Sequence, residues 1–367
     1  MTAQQKIEPY VISSDKRPDR HARGWYVIGN SASVTTTPRK LEVFGTKLVA
    51  YRGEDDGQVH ILDGYCPHMG GDLADGHVCG NSVVCPFHLW SWGADGVCDD
   101  IPYAKKIPEK AVIKSWPTLE KNGLVFVWHD VENNPPIPEQ EPERNEDWYS
   151  GDWTDWEMRA IPIKSQGREL VDNMADMAHF GPIHYSEVMS FRNTMEGHKF
   201  IQYMVGGHQI LLEEGQGLIT SVATYEGPAY MTTTMSGSMD GHPMMVHLLV
   251  SHVPVDKDNF IINFGVMARK QAGASDAENK AMVEEYTEKN IVSFQQDVDI
   301  WNNKCVIDNP LMCDGDGPVH MVRKWYSQFT TDIADVSPDQ VKAREHVTIE
   351  GPTVAEVLAE QGLAKAS

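Results

Sequence analysis

The chain lacks a long apolar run. Nowhere in its 367 residues do about 18 apolar residues follow one another, which is the length that a membrane-spanning helix needs. The first fifteen residues are polar and contain no apolar stretch of the kind found in a secretory signal. These two absences predict a cytoplasmic protein with no membrane span.

Basic residues are also few. Lys and Arg total 31 against 53 Asp and Glu, and the formal net charge of -22 disfavours binding to nucleic acid or to anionic lipid. One local run of lysines stands out: Lys105, Lys106, Lys110 and Lys114. This run either docks an acidic redox partner or is a solvated, lysine-rich edge.

Cysteine is scarce, with six in the chain: Cys66, Cys79, Cys85, Cys98, Cys305 and Cys313. In a chain of this size without a leader, such spacing argues for metal ligands or buried thiols rather than a disulfide framework.

Two of these cysteines belong to a paired motif with histidines. The pattern is Cys66-x-His68, sixteen residues, then Cys85-x-x-His88. Two thiolates on one iron and two imidazoles on the other form a Rieske [2Fe–2S] centre. Zinc held by the same four residues is the alternative, although zinc fingers usually pair Cys with Cys and His with His.

The hydrophobic pattern divides the chain into two domains. Short β-type runs bounded by Gly, Pro, Asp and Asn predict an all-β domain over residues 24–131, preceded by a tail over 1–23. Asn122-Gly123 between two apolar runs predicts a hairpin. Residues 132–146 are rich in proline and charge, which predicts a semi-rigid linker.

Residues 147–367 predict an α+β domain in which helices flank an antiparallel sheet. A long acidic helix is expected over residues 275–303. Strands are expected at residues 156–163, 200–205, 209–213, 218–225, 229–236, 244–255 and 260–268.

The stretch 172–184 carries the second candidate site. If it begins as a helix, Asp172, Asp176 and His179 share one face, and a bend at Gly181-Pro182 turns His184 toward the same point. Two histidines and one carboxylate with open positions form the facial triad of a non-haem Fe(II) oxygenase. The alternative is an amphipathic core helix whose polar residues face solvent.

The carboxylate is expected on the late helix. Asp297 and Asp299 differ by about 200° around a helix, so only one of them faces inward. The apolar residues Phe294, Val298 and Trp301 define the buried face, and Asp297 adjoins it. The pattern favours Asp297 and leaves Asp299 as the alternative.

With both motifs assembled, the chain resembles the terminal oxygenase components of Rieske non-haem iron oxygenases, in particular those of the 3-ketosteroid 9α-hydroxylases. The resemblance covers nearly the full length and implies a catalytic domain of the helix-grip type. It is carried by residues 23–25, 44–49, 65–72, 100–104, 126–130, 153–156, 171–180 and 297–311.

The resemblance implies a role for each matching residue. His179, His184 and Asp297 match the mononuclear iron ligands, and Asn173 matches a polar neighbour of the iron. Asp176 matches an acidic residue that joins a cluster histidine, here His88, to His179 across a subunit interface. The family assembles as a head-to-tail homotrimer, so electrons pass between subunits.

The resemblance also implies the reaction. A separate NAD(P)H-dependent flavin and iron–sulfur reductase supplies electrons, and one atom of O2 enters a C–H bond of a steroid-like substrate. The chain has no Gly-x-Gly-x-x-Gly dinucleotide motif, in agreement with an external reductase. Gly181 and Pro182 depart from the family's aromatic residues. Another polycyclic, terpenoid or aromatic substrate therefore stays open, as does a pure electron carrier.

Overall fold

The computed structural model describes residues 9–14, 20–207, 218–239 and 242–363. The predicted strand at residues 209–213 lies outside the described residues. The protein is α+β, as predicted, with a β-rich N-terminal unit and a second unit in which helices pack on one large sheet. Among the described helices, none is both long and apolar enough to cross a membrane.

The N-terminal unit is built from short strands in small antiparallel sheets. Three sheets have the orders β1-β12-β11, β2-β3-β4 and β10-β9-β8-β7, and β5 pairs with β6. The strands are β1 (Gly24–Asn30), β2 (Arg39–Val43), β3 (Thr46–Arg52), β4 (Val59–Asp63), β5 (Tyr65–Cys66), β6 (Gly71–Asp72), β7 (His77–Cys79), β8 (Ser82–Val84), β9 (Ser91–Trp92), β10 (Cys98–Asp100), β11 (Thr118–Lys121) and β12 (Leu124–His129).

The predicted hairpin is confirmed between β11 and β12. Lys121 pairs with Leu124, and the two residues between them have φ of 55° at Asn122 and 75° at Gly123. Positive φ at both turn positions matches the twist of the flanking strands, which is why Asn-Gly is favoured there.

The second unit contains one eight-stranded antiparallel sheet of order β13-β19-β18-β17-β16-β15-β14-β20. Its strands are β13 (Glu157–Ile163), β14 (Val188–Glu196), β15 (Lys199–Gly206), β16 (Ile219–Glu226), β17 (Tyr230–Met239), β18 (His242–Pro254), β19 (Phe260–Ala268) and β20 (Arg344–Ile349). The helices are α1 (Glu146–Tyr149), α2 (Gly167–Asp172), α3 (Phe180–His184), α4 (Asp276–Asn303), α5 (Val319–Tyr326), α6 (Pro338–Val341) and α7 (Val354–Glu360).

The long helix α4 confirms the prediction for residues 275–303. Ser275 caps it by accepting from the backbone N–H of Glu278, whose carboxylate binds back to the N–H of Ser275. Its apolar face, with Val298 and Trp301, packs on sheet residues such as Phe264 in the largest core cluster. The sheet and α4 together fix the position of Asp297.

The two units share their cores. β1 packs across β17, β18 and β19, and one cluster combines Trp25 and Trp128 of the first unit with Tyr230 and Leu249 of the second. The end of the predicted N-terminal tail is also anchored, because the N–H of Arg23 donates to the carbonyl of Phe329 at 2.7 Å.

The prediction of a helix that carries Asp172, Asp176 and His179 on one face is wrong. Helix α2 ends at Asp172, a series of turns follows, and α3 begins only at Phe180. Gly181-Pro182 lies inside the first turn of α3, where the N–H that proline lacks has no intrahelical partner in any case. The chain therefore bends before this dipeptide rather than at it.

Candidate metal centres

The two cysteine–histidine loops form the same turn. The N–H of Gly70 donates to the carbonyl of Cys66 at 2.8 Å, and the N–H of Leu89 donates to that of Cys85 at 3.0 Å. Both closing residues have left-handed backbone, with φ of 76° at Gly70 and 59° at Leu89. Two matching turns thus present one cysteine and one histidine each.

The structure brings these four side chains together. Cys66 and Cys85 are each 1% exposed, and the ring centroids of His68 and His88 lie 4.6 Å apart. Nδ1 of His68 is buried without a hydrogen-bond partner among the described residues. Such an atom is costly unless another group satisfies it, so the site fits a cluster held by two thiolates and two imidazoles.

Burial raises the pKa of the Cys66 thiol, and the adjacent Cys85 thiol raises it further. A bound metal supplies the positive charge that stabilises the thiolate form. A Cβ at Gly71 would lie 2.8 Å from Sγ of Cys85, so glycine is needed for the close approach of this loop. None of the six cysteines forms a disulfide in the structure.

The second centre joins α4 to the start and end of α3. Nε2 of His184 lies 3.2 Å from Oδ2 of Asp297, and Nε2 of His179 lies 3.9 Å from Oδ1 of the same carboxylate. One ligand atom from each residue falls within 4.8 Å of the others. Two imidazoles and one carboxylate that converge in this way fit a facial iron site with open positions.

The outer nitrogen of each imidazole is also held. Nδ1 of His179 contacts the carbonyl oxygen of Asp176 at 2.6 Å, and Nδ1 of His184 contacts Oε1 of Gln296 at 3.1 Å. Since a carbonyl oxygen only accepts, both Nδ1 atoms are donors, and in a neutral ring the Nε2 atom is then the one that can bind a metal. The sequence pattern did not reveal Gln296, although it directly precedes Asp297.

The charge of Asp297 acts on its neighbour. Burial lowers the pKa of His184, but the hydrogen bond and negative charge of Asp297 outweigh burial and hold this pKa above its usual value. The other candidate carboxylate, Asp299, is exposed and accepts from Nε2 of Gln295 at 2.8 Å. Asp297 is thus the aspartate that meets the two histidines.

Asp176 and Asn173 lie beside this centre without belonging to it. The carboxylate of Asp176 is 46% exposed and lies 3.7 Å from Nδ1 of His179. Burial raises the pKa of Asp176, but hydrogen bonding by His179, whose backbone N–H donates to Oδ1 at 3.3 Å, brings it below the usual value, so the carboxylate is ionised. Asn173 directly follows α2 and lines the same cavity as His179.

That cavity has a volume of about 450 Å³ and reaches both His179 and Asp297. One part of its wall is apolar, with Ile183, Ile300 and Trp301. The other part carries the charged residues Glu169, Asp172, Lys304 and Arg323.

The charged wall is a buried ion network that the sequence pattern did not reveal. Arg323 donates to Oδ2 of Asp172 through Nε at 2.9 Å and through Nη2 at 2.6 Å. Glu169, whose side chain is fully buried, pairs with Lys304 at 2.7 Å and with Arg168 at 3.2 Å. Asp172, predicted on the face of the metal ligands, thus instead ties α2 to α5.

Comparisons with known proteins agree with both centres. Residues 24–117 match the profile of the Rieske [2Fe-2S] domain. Residues 127–330 match the profile described as the 3-ketosteroid 9alpha-hydroxylase C-terminal domain, which covers more than half of the chain.

Similar proteins carry related names. The chain is 40% identical to a 3-ketosteroid-9-alpha-monooxygenase oxygenase component of Rhodococcus rhodochrous, over 92% of this chain and 89% of the relative. It is 39% identical to the protein of that name from Mycobacterium tuberculosis (strain ATCC 25618 / H37Rv), over 91% of this chain and 88% of the relative. Cholesterol 7-desaturase nvd of Xenopus laevis is 29% identical, over 85% of this chain and 72% of that protein.

Solved structures share the fold at lower identity. Apo dicamba monooxygenase has a TM-score of 0.66 at 18% identity, covering 85% of this chain and 98% of the other. NdmA of Pseudomonas putida CBB5 has a TM-score of 0.64 at 18% identity, and the match covers 90% of this chain and 96% of NdmA.

Fold and centres together define a Rieske non-haem iron oxygenase, whose cofactors are a Rieske [2Fe–2S] cluster and a mononuclear iron. Within that class, the chain belongs to the family of 3-ketosteroid-9-alpha-monooxygenase oxygenase components. As an oxygenase component, it acts as a monooxygenase with O2 and a separate reductase.

Proposed function

We propose that this oxygenase hydroxylates a 3-ketosteroid or a closely related steroid, with electrons from an NAD(P)H-dependent flavin and iron–sulfur reductase. The observation that carries the proposal is the convergence of His179, His184 and Asp297 in a chain that also holds a cysteine–histidine cluster site. A protein that only carries electrons does not need a second metal centre with open coordination positions. The assignment of a steroid as substrate is based on the names of the relatives near 40% identity.

Each site residue has a proposed role. Cys66 and Cys85 hold one iron of the cluster, and His68 and His88 hold the other. His179, His184 and Asp297 hold the mononuclear iron, which when bound supplies the position at which O2 is activated beside the substrate. Gln296 and the carbonyl of Asp176 keep the Nδ1 protons on the outer sides of the two imidazoles.

The roles of Asp176 and Asn173 follow from their exposure and position. Asp176 presents an ionised carboxylate at the surface, 3.7 Å from the ring of His179. A neighbouring subunit's cluster histidine can bind there and transfer electrons over a short path. Asn173 lines the cavity beside His179 and orients a polar group there, either water or substrate oxygen.

The proposal includes a head-to-tail homotrimer. The cluster loops expose Met69, Phe87 and Leu89 at 64%, 58% and 48%, which is unusual for apolar side chains next to cofactor ligands. The partly exposed Asp176 offers the complementary site on the next subunit. We place the trimer in the cytoplasm and divide each chain into a cluster domain (24–131), a linker (132–146) and a catalytic domain (147–367).

The substrate entrance is open beside the bend. Gly181 is exposed, and apart from its own helix and chain neighbours no described atom lies within 4 Å of a Cβ built there, at a position where related steroid hydroxylases carry an aromatic residue. The methionines Met235 and Met244 are core residues that pack in one cluster with Trp301. The apolar side of the cavity beside Asp297 carries Ile183, Ile300, Trp301 and Met312 instead, and such a wall suits a rigid polycyclic substrate.

Two measurements test the function. Iron analysis of the purified protein should give three irons per chain, and His184→Ala should lose one of them while the cluster absorption persists. A panel of 3-ketosteroids incubated with a surrogate reductase should yield products that gain one oxygen atom. Two irons per chain would contradict the oxygenase assignment, and products that only lose hydrogen would make the enzyme a desaturase.

A further inference from the structure

An exposed basic segment lies close to the cluster site. Residues 101–115 contain four lysines and one glutamate in a chain whose formal net charge is -22. Every residue from Pro102 to Lys110 is exposed. Lys105, Lys106 and Lys110 form no ion pair with any other described residue. Their positive charges are therefore free to attract a partner.

An aromatic path connects this segment to the cluster. Tyr103 is 62% exposed, and its hydroxyl accepts a hydrogen bond from Nε1 of Trp90 at 2.7 Å. The Trp90 ring stacks on the ring of His68, with centroids 4.6 Å apart and planes 12° apart. A continuous set of contacts thus leads from a solvent-exposed phenol to a cluster histidine.

The second cluster histidine has different neighbours. The His88 ring contacts Phe87, with centroids 4.0 Å apart, next to the exposed apolar residues assigned above to the subunit interface. The Trp90 ring pairs with the rings of His68 and Trp92, and no ring pairing of Trp90 with His88 occurs among the described residues. The two histidines therefore lead to two surfaces, one aromatic and basic and the other apolar.

We propose that Tyr103, Lys105, Lys106 and Lys110 form the docking surface for an acidic face of the reductase, and that electrons enter through Tyr103 and Trp90 to His68. This inference rests on the proposed cluster ligands. Each transfer moves one electron from the reduced donor centre of the reductase to the oxidised cluster, and no covalent bond forms or breaks. Because the rest of the chain is acidic, the basic segment also determines where such a partner can approach.

Charge reversal tests the docking surface. With a reductase that supports turnover of the wild-type enzyme, K105E/K106E should raise the KM for reductase about tenfold at low ionic strength and leave kcat nearly unchanged. The difference should shrink as salt is added, and reduction of the cluster by dithionite should proceed as in wild type. The matched control is K280E/K342E, which reverses two exposed charges in the second unit.

Two outcomes overturn the docking surface. One is an unchanged KM in K105E/K106E. The other is dissociation of the oligomer in this variant, measured by light scattering, which would assign the lysines to the contact between subunits. The rate at which the reductase reduces the cluster, followed by stopped-flow absorbance, measures docking without steroid. A failure of steroid hydroxylation would therefore not be mistaken for a failure of docking.

The aromatic path has its own test. Trp90→Leu should slow reduction of the cluster by saturating reductase at least several-fold, and Trp90→Phe, which keeps a ring against His68, should restore most of the rate. The midpoint potential of the cluster separates a relay from a general disturbance. A slower rate at unchanged potential supports the path, whereas an unchanged rate, or one explained by a shifted potential, overturns it.

Discussion

Gln296 is the residue that local sequence patterns could not assign. Its Oε1 lies 3.1 Å from Nδ1 of His184, a residue 112 positions earlier in the chain. The cysteine–histidine loops, in contrast, were predictable because each loop places its own two ligands within a few residues. A contact made by folding two distant segments together leaves no periodic or spacing signal in one sequence.

Replacing Gln296 tests its role in holding His184. We expect Gln296→Ala to weaken retention of the mononuclear iron about tenfold or more, because the ring loses the acceptor that fixes its orientation and tautomer. The measurement is iron content after dialysis against a chelator, with cluster absorption followed in the same sample. Gln295→Ala is the control, since the exposed Gln295 donates its side-chain hydrogen bond to the exposed Asp299. Equal iron loss in both variants would remove Gln296 from this role.

His129 should make the protein sensitive to acid. It is 9% exposed and stacks on Phe44 with ring centroids 4.3 Å apart, and both ring nitrogens lack partners among the described residues. Burial lowers the pKa of His129 to about 3. Below about pH 6.5 the imidazole of His129 is protonated in the unfolded chain but stays neutral in the folded chain. The free energy of unfolding therefore falls by about 1.4 kcal/mol for each unit by which the pH drops from about 6.5 toward 3.

The acid sensitivity can be reduced by one substitution. His129→Phe keeps a ring on Phe44 and removes the proton, so the acid-unfolding transition followed by tryptophan fluorescence should move to lower pH. His320→Phe, on the exposed side of α5, is the control and should leave the transition in place. A transition that does not move in His129→Phe would show that other groups dominate acid unfolding. His252, whose pKa burial also lowers to about 3, is the first of these.

At the scale of elements, the stretch 172–184 shows where periodicity misleads. Asp172, Asp176 and His179 have helical spacing, yet the helix ends at the first of them, and Arg323 of another helix binds the side chain of Asp172. Burial raises the pKa of Asp172, and the guanidinium of Arg323 opposes this. A tertiary ion pair thus anchors the last residue of α2 to α5, and the turns that follow set the place of His179.

Breaking that ion pair should be costly. Arg323→Met leaves the buried carboxylates of Asp172 and Glu169 without this cation, and we expect a loss of about 3 kcal/mol in the free energy of unfolding. Denaturant unfolding measures it. Arg192→Met removes an exposed pair with Glu345 and should cost less than about 1 kcal/mol. The double variant D172N/R323M should recover part of the loss; no recovery would mean that packing rather than charge holds α2.

At the scale of the whole molecule, the α+β class and its antiparallel sheet could be predicted because strands and turns signal themselves locally. The shared core of the two units could not be predicted from the sequence. Trp25 and Trp128 lie on strands of the first unit, yet they pack on Tyr230 and Leu249 of the second. Burial predicts that a side chain is inside without indicating its partner.

The proposed trimer predicts that two inactive chains restore each other. Cys85→Ser should lack the cluster and His184→Ala the mononuclear iron, so neither is active alone. In randomly mixed trimers, an iron-competent chain follows a cluster-competent one in about a quarter of positions, and about a quarter of wild-type turnover per chain should return. Transfer confined to single chains would restore none. Adding Asp176→Asn to the Cys85→Ser chain should abolish the recovered turnover, whereas adding it to the His184→Ala chain should not, because the carboxylate acts only beside the iron that accepts the electron.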